Sequence, residues 1–279
     1  MRSIRHHTPL NPSVRGRFAL VLILLLVVPL LSGCEKQWWQ YLFPKHQATA
    51  QAGTDTAALY RAAIEDAKIA EPDEIVTSLT AINSYNPDLI WEDDRVLMTV
   101  WTDWDGYDNK QGQAMTLTRP VWVTAAQELR LFCLDYGLKG EELSLRLRQL
   151  LGLKPDAPYD RMAELWVKPD DMFRPSPDPE ISDREAQLDF PGPRRYINIS
   201  ATHRRWFERL KDSSYGEDGY PWTRLGYTYD WGNTKSEVGL SEFVIRKGAQ
   251  VIIRSTWTTD EYCTMPKDPP PDDSAANAQ

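Results

Sequence analysis

Two short segments gather the residue types that could do chemistry. The first, Trp101-Thr102-Asp103-Trp104-Asp105-Gly106-Tyr107-Asp108, interleaves carboxylates with indole and phenol rings. Such rings can stack on a sugar face while Asp103 and Asp105 accept its hydroxyl hydrogen bonds, and a pair of carboxyls is what glycoside hydrolysis requires. The spacing does not fit a twelve-residue calcium loop. A tight turn whose Asp side chains cap backbone groups is the structural alternative. The second segment runs from Pro221 to Gly232. Its Arg224 offers a rigid donor fork for a carboxylate or phosphate, and Asp230 could orient that fork or serve as an acid. On an extended strand Tyr227, Tyr229 and Trp231 share one face, with Thr228 and Asp230 on the other. Such a row of rings either packs a sheet or forms a stacking platform.

Histidine use narrows the chemistry further. His6 and His7 belong to the amino-terminal leader and His46 to a tether, which leaves His203 for the folded body. A nucleophilic triad would need His203 as its base, and no glycine-framed serine elbow accompanies it. His203 also falls on one helical stripe with Trp206, Phe207 and Leu210, so a packed ring is the plain alternative. The spacing of structural zinc ligands is missing, so neither metal nor cofactor is expected. Dinucleotide fingerprints, phosphate loops and repeats are absent as well. Glu242, ahead of Phe243-Val244-Ile245, resembles the strand acid of ADP-ribosyltransferases. The second acid and the Ser-Thr-Ser strand of that family are missing, and Arg254-Ser255-Thr256 follows Glu242 instead of preceding it, so the family is not assigned.

The elements that must position these residues can be read from periodicity. Helix signals begin at Asp55 with Leu59, Ala63 and Ala67, and resume after Pro72 with Ile75, Leu79 and Ile82. Arg95–Thr102 predicts a strand covered on both faces. Val121-Trp122-Val123 predicts a short strand, followed by Thr124 as cap of a helix carrying Leu129, Phe132, Cys133 and Tyr136. Glu141–Leu151 predicts a helix with Arg146 and Arg148 outward, and a helical turn is expected over Tyr159–Trp166. Pro169–Pro193 reads as a long ordered loop. Tyr196–Ser200 reads as a strand, and Thr202 as the cap of the His203 helix. Leu225–Trp231, Ser241–Ile245 and Gln250–Trp257 predict three strands, the last two joined as a hairpin at Lys247-Gly248. Together these predict one α+β domain over residues 55–263, helices packed on a mainly antiparallel sheet, followed by a disordered tail over 264–279.

Composition sets the partners. The formal charge is −8 and the first 33 residues carry four arginines and no acid, so the remainder is close to −12. That balance disfavours nucleic acid, whose phosphates need clustered positive charge. Eleven tryptophans and twelve tyrosines call for an aromatic core or an aromatic groove. With Cys34 set aside, Cys133 and Cys263 are expected to form a disulfide in an exported protein.

Export is read from the amino end. Arg2, Arg5, Arg15 and Arg17 precede an apolar run from Phe18 to Leu31, the order of a signal peptide. As a helix that run rises about 21 Å, short of a bilayer core of roughly 30 Å. Leu31-Ser32-Gly33-Cys34 resembles the lipobox of bacterial lipoproteins. The resemblance implies removal of residues 1–33, lipidation of Cys34, and membrane attachment through acyl chains such as palmitate. Residues 34–54 then form the lipidated start and tether, with Trp38, Trp39, Tyr41 and Phe43 beside the lipid. Glu35 is a poor match to the aspartate of the inner-membrane retention signal. The expected location is therefore the bacterial cell envelope, facing periplasm or exterior, at the outer membrane where there are two. Two functions follow: a structural or interaction role toward an envelope protein, or a glycan-binding or glycan-hydrolysing protein using Asp103, Asp105, Arg224, Tyr227 and Asp230 with His203.

Overall fold

A computed structural model describes residues 55–192 and 198–265 of the 279-residue chain. The leader, Cys34, the tether, Tyr196 and Ile197 and nearly all of the tail lie outside the described residues, and residues 198–200 of the expected Tyr196–Ser200 strand are irregular.

The strands β1 (Trp91–Glu92), β2 (Arg95–Thr102), β3 (Ala114–Thr116), β4 (Val121–Ala125), β5 (Arg161–Val167), β6 (Met172–Phe173), β9 (Phe243–Ile245) and β10 (Gln250–Thr258) form an eight-stranded sheet. Its order is β3-β10-β5-β2-β4-β9-β6, with β1 beside β2. Every pairing is antiparallel. Strands β7 (Tyr227–Tyr229) and β8 (Val238–Ser241) pair separately. Helices α1 (Thr56–Asp66), α2 (Ala126–Tyr136), α3 (Gly140–Leu150), α4 (Ala201–Ser214) and α5 (Thr259–Thr264) complete the α+β domain.

The core follows from alternation along the central strands. Val96 and Met98 of β2, Ala163, Leu165 and Val167 of β5, and Val251 and Ile253 of β10 share one cluster with Phe243 and Ile245. Leu97 and Trp166, one residue out of phase, pack with Ala126 on the opposite face. Both faces of β2 are therefore covered, as its continuous apolar run predicts.

Asp55 caps α1 by accepting from the Ala57 and Ala58 amides. The second expected helix does not form: after a 3-10 turn at Pro72–Glu74 the chain is irregular. The amides of Leu79 and Ile82 instead donate to the carbonyls of Arg184 and Ile181, and that of Thr80 to the Ser241 hydroxyl. The proline-rich loop thus supplies the partners a helix would have supplied to itself. Tyr159–Trp166 is not a helical turn either. Arg161–Val167 is strand β5, paired on both sides by β2 and β10, and those two ladders override a locally helix-compatible sequence. The expected hairpin at Lys247-Gly248 keeps its turn, with Ala249 donating to Arg246 and Gly248 at φ +90. Its arms diverge, because β9 pairs with β4 and β6 while β10 pairs with β3 and β5.

A disulfide joins Cys133 of α2 to Cys263 of α5, with Cα atoms 4.8 Å apart. Beneath it, Arg130 and Arg254 both pair with the buried Glu164 carboxylate. Arg254 reaches Glu164 because the register of β10 against β5 slips between Ile253 and Ser255. Among the described residues, no helix is long and apolar enough to cross a membrane.

Candidate functional site

Where β2 ends and β4 begins, near the middle of the sheet, lies a cavity of about 520 Å³. Its walls come from four places. The end of β2 and the turn after it supply Trp101, Thr102, Asp103, Trp104 and Tyr107. The approach to β4 and the strand itself supply Arg119 to Thr124. Residues 151–153 after α3, with Tyr159, form a third wall. The fourth holds Tyr220, Pro221, Trp222 and residues 227–229, with Glu242 between β8 and β9. The two acid-aromatic segments, more than a hundred residues apart in sequence, thus line one space.

The rings are held by one another and by hydrogen bonds. Trp101 meets Tyr159 edge to face at 5.6 Å and donates its indole N–H to Thr259 Oγ1 at 2.9 Å. Trp104 packs edge-on against Tyr107 at 4.7 Å, with the Arg119 guanidinium over its ring. Trp122 sits perpendicular to Trp222 at 6.4 Å, and Phe207 and Trp206 of α4 back Trp222. Three rings remain well exposed, Trp104 at 39%, Trp122 at 38% and Tyr220 at 46%. Burial pushes the Tyr159 phenol up, and nearby Tyr220 and Asp103 add to the rise while Arg119 opposes it.

Glu242 is the chemically unusual member. It is 7% exposed, and its Oε1 has no hydrogen-bond partner. The indole N–H of Trp222 is directed at this carboxyl but falls short of full hydrogen-bond geometry. Burial holds the Glu242 carboxyl well above the usual carboxylate range, opposed by Trp222 and by the charge of Arg174. Arg174 itself donates to the carbonyls of Glu180 and Asp183.

The sequence candidates are distributed otherwise. Asp103 lines the cavity and is exposed, whereas Asp105 is exposed in a 3-10 turn outside the lining. Tyr227 lines the cavity, but its hydroxyl donates to the Glu74 carbonyl at 3.0 Å. Tyr229 donates to Asp66 and Trp231 to the Leu153 carbonyl, so the row of three rings packs the body and is not a free stacking platform. Asp230 is not an exposed acid: it is 3% exposed and paired bidentately with Arg146. Arg146 and Arg148, expected on a solvated face, are both buried, Arg148 bonding Glu141 and the Ala157 carbonyl. Arg224 holds a positive φ of 62 and donates to the carbonyls of Ala67 and Lys68 at the end of α1, so its fork is engaged within the fold. His203 packs among Phe173, Phe190 and Trp206, and its Nε2 donates to the Ser176 carbonyl at 2.8 Å. The α4 cap is Ser200, not Thr202.

Sequence reasoning passed over Glu242, Arg119, Trp122, Tyr159 and Tyr220 as site residues. A signal existed for two of them. Glu242 directly precedes the apolar run Phe243-Val244-Ile245, and Trp122 points opposite to its valine neighbours on a strand. Among the described residues, no cluster of three or more His, Cys, Asp or Glu is arranged to hold a metal ion. No protein-family model, curated protein or solved structure matches the chain.

Proposed function

We propose that this chain is a lipid-anchored envelope protein that binds a partner protein through the aromatic cleft, in an interaction role and not as a catalyst. The observation that carries the reading is the convergence of both acid-aromatic segments on one cavity whose opening exposes Trp104, Trp122 and Tyr220. Tryptophan, tyrosine and arginine dominate the energetics of protein interfaces, chiefly where they surround a pocket from which water is excluded. The two carboxyls of the cleft are unlike, Asp103 exposed and Glu242 buried, and neither is hydrogen-bonded to a histidine or hydroxyl that could act with it. Anchoring rests on the resemblance of Leu31-Ser32-Gly33-Cys34 to a lipobox. Half-exposed rings also suit stacking on sugar faces, so glycan recognition is the second reading.

Two experiments test this. Cells grown with labelled palmitate should label the wild type and not Cys34→Ser; an unlabelled wild type overturns the anchor. A photo-cross-linking amino acid placed at Trp122, with one at the fully exposed Tyr85 as control, is then irradiated in living cells. A discrete protein adduct from position 122 alone supports the interaction role. A muramidase-sensitive adduct transfers the cleft to glycan, and equal adducts from both positions remove it from recognition.

A further inference from the structure

Resting on that reading, we infer that Glu242 is the seat for an N–H-bearing organic cation, the side chain of a lysine or arginine presented by the partner protein. The cleft combines the three features such a group selects. Its wall is built from tryptophan and tyrosine, whose ring faces attract cations. Its interior holds a carboxyl more than nine-tenths buried whose Oε1 makes no hydrogen bond of full geometry, the Trp222 indole being the one donor that acts on it. The chain is acidic, with a formal charge of −8, so cations are drawn toward it before contact.

The unsatisfied acceptor decides among cations. A quaternary ammonium, as in a choline headgroup, would fill an aromatic cage but carries no N–H to give Glu242. An ammonium or guanidinium supplies both the charge and the donor, and a guanidinium can also lie flat on an indole. Charged groups already near Glu242 do not complete it. Arg174 acts on it by charge without an ion pair: its Nε and Nη2 donate to the carbonyls of Glu180 and Asp183, and its buried Nη1 makes no hydrogen bond, to Glu242 or to any other group. Tyr215, the other titratable neighbour, donates its hydroxyl to the Trp222 carbonyl. Arg119 and Asp103 belong to the cleft wall and are exposed to solvent.

The test uses the full-length protein in detergent and four small probes: butylguanidinium, butylammonium, the neutral butylurea and trimethylbutylammonium. Indole N–H resonances of the tryptophans report binding. Both N–H cations should shift cleft indoles at millimolar concentration, with butylurea and the quaternary ion at least tenfold weaker. Glu242→Gln, which keeps the shape and cannot ionise when a cation enters, should weaken the N–H cations at least tenfold and leave butylurea within about twofold. Equal binding of butylurea and butylguanidinium overturns the inference, as does a Glu242→Gln protein that binds cations as the wild type does. Tighter binding of the quaternary ion assigns the cage to choline-like headgroups and also overturns it. The outcomes separate from those of the interaction reading: selective cation binding with no adduct from position 122 keeps the seat and removes the protein partner. Adducts without cation selectivity do the reverse.

Discussion

Two buried carboxyls, Glu242 and Asp230, show how differently one functional group can be treated. Asp230 has the full fork of Arg146 and the amide of Gly232, so removing it strands a buried guanidinium. Asp230→Ala should cost about 3–5 kcal/mol, the usual cost of breaking a buried pair on one side, read as a fall in the urea midpoint. Glu242 has no such partner, and burial raises its pKa in the folded state above the unfolded 4.5. A carboxyl raised on folding binds its proton more tightly in the native protein, so its contribution is complete below pH 4.5 and is lost as pH rises through the folded value. Glu242→Gln should therefore match the wild type in thermal midpoint at about pH 4 and exceed it increasingly toward pH 8. A gap that stays constant across that range would show that Glu242 ionises normally. Instability conceded at a binding residue is a common cost of function.

At the scale of elements, α4 and the strands that frame the cleft depend on contacts from outside their own segments. His203 anchors α4 to the proline-rich loop through the Ser176 carbonyl, and burial lowers its pKa below 6.5. A buried neutral histidine must take up a proton to unfold in acid, so its stabilisation is present above the unfolded pKa and is lost as pH falls through 6.5 toward the lower folded value. His203→Ala should cost about 2–4 kcal/mol near neutral pH through lost packing and a lost hydrogen bond. The loss relative to wild type should shrink as pH drops below 6.5, measured by chemical denaturation at each pH. Gly226 plays a backbone role in the same region. It holds φ +78, and a Cβ there would meet Arg174 Cδ at 2.6 Å, so no other residue fits between the loop and the buried arginine.

For the whole molecule, the Cys133–Cys263 bridge spans 130 residues and ties the last helix to the layer of helices over the sheet. Reduction should lower the unfolding free energy by about 2–5 kcal/mol, the range seen when native bridges are removed. Guanidinium titrations with and without reductant check this; coincident midpoints would mean that α5 is held by Tyr262 and the Arg130–Glu164–Arg254 group alone. Tyr262 is well placed for that, donating to the Ala126 carbonyl and sharing a hydrogen bond with Thr99. With the Asp55 cap at the start of α1 and the bridge to Cys263 at the far end, both ends of the described body are defined by covalent or capping chemistry.

Local chemistry was legible before any tertiary contact was known. Strand β2, helices α1 to α4, the α+β class and the pairing of Cys133 with Cys263 follow from alternation, helical spacing, turn residues and cysteine count, each a short-range or counting property of the chain. Three-dimensional structure alone decided the rest. Arg161–Val167 became a strand because β2 and β10 flank it, and Ile75–Ile82 stayed irregular because the loop at 181–184 took its amides. Asp230, Arg224 and His203 look like free chemistry in sequence, yet each finds its partner more than twenty-five residues away. Glu242 is the converse, an acid at the head of an apolar run left without an ion pair at the wall of a cleft. Whether a polar side chain is satisfied depends on which distant groups the fold carries to it, and that cannot be read from its neighbours in the chain.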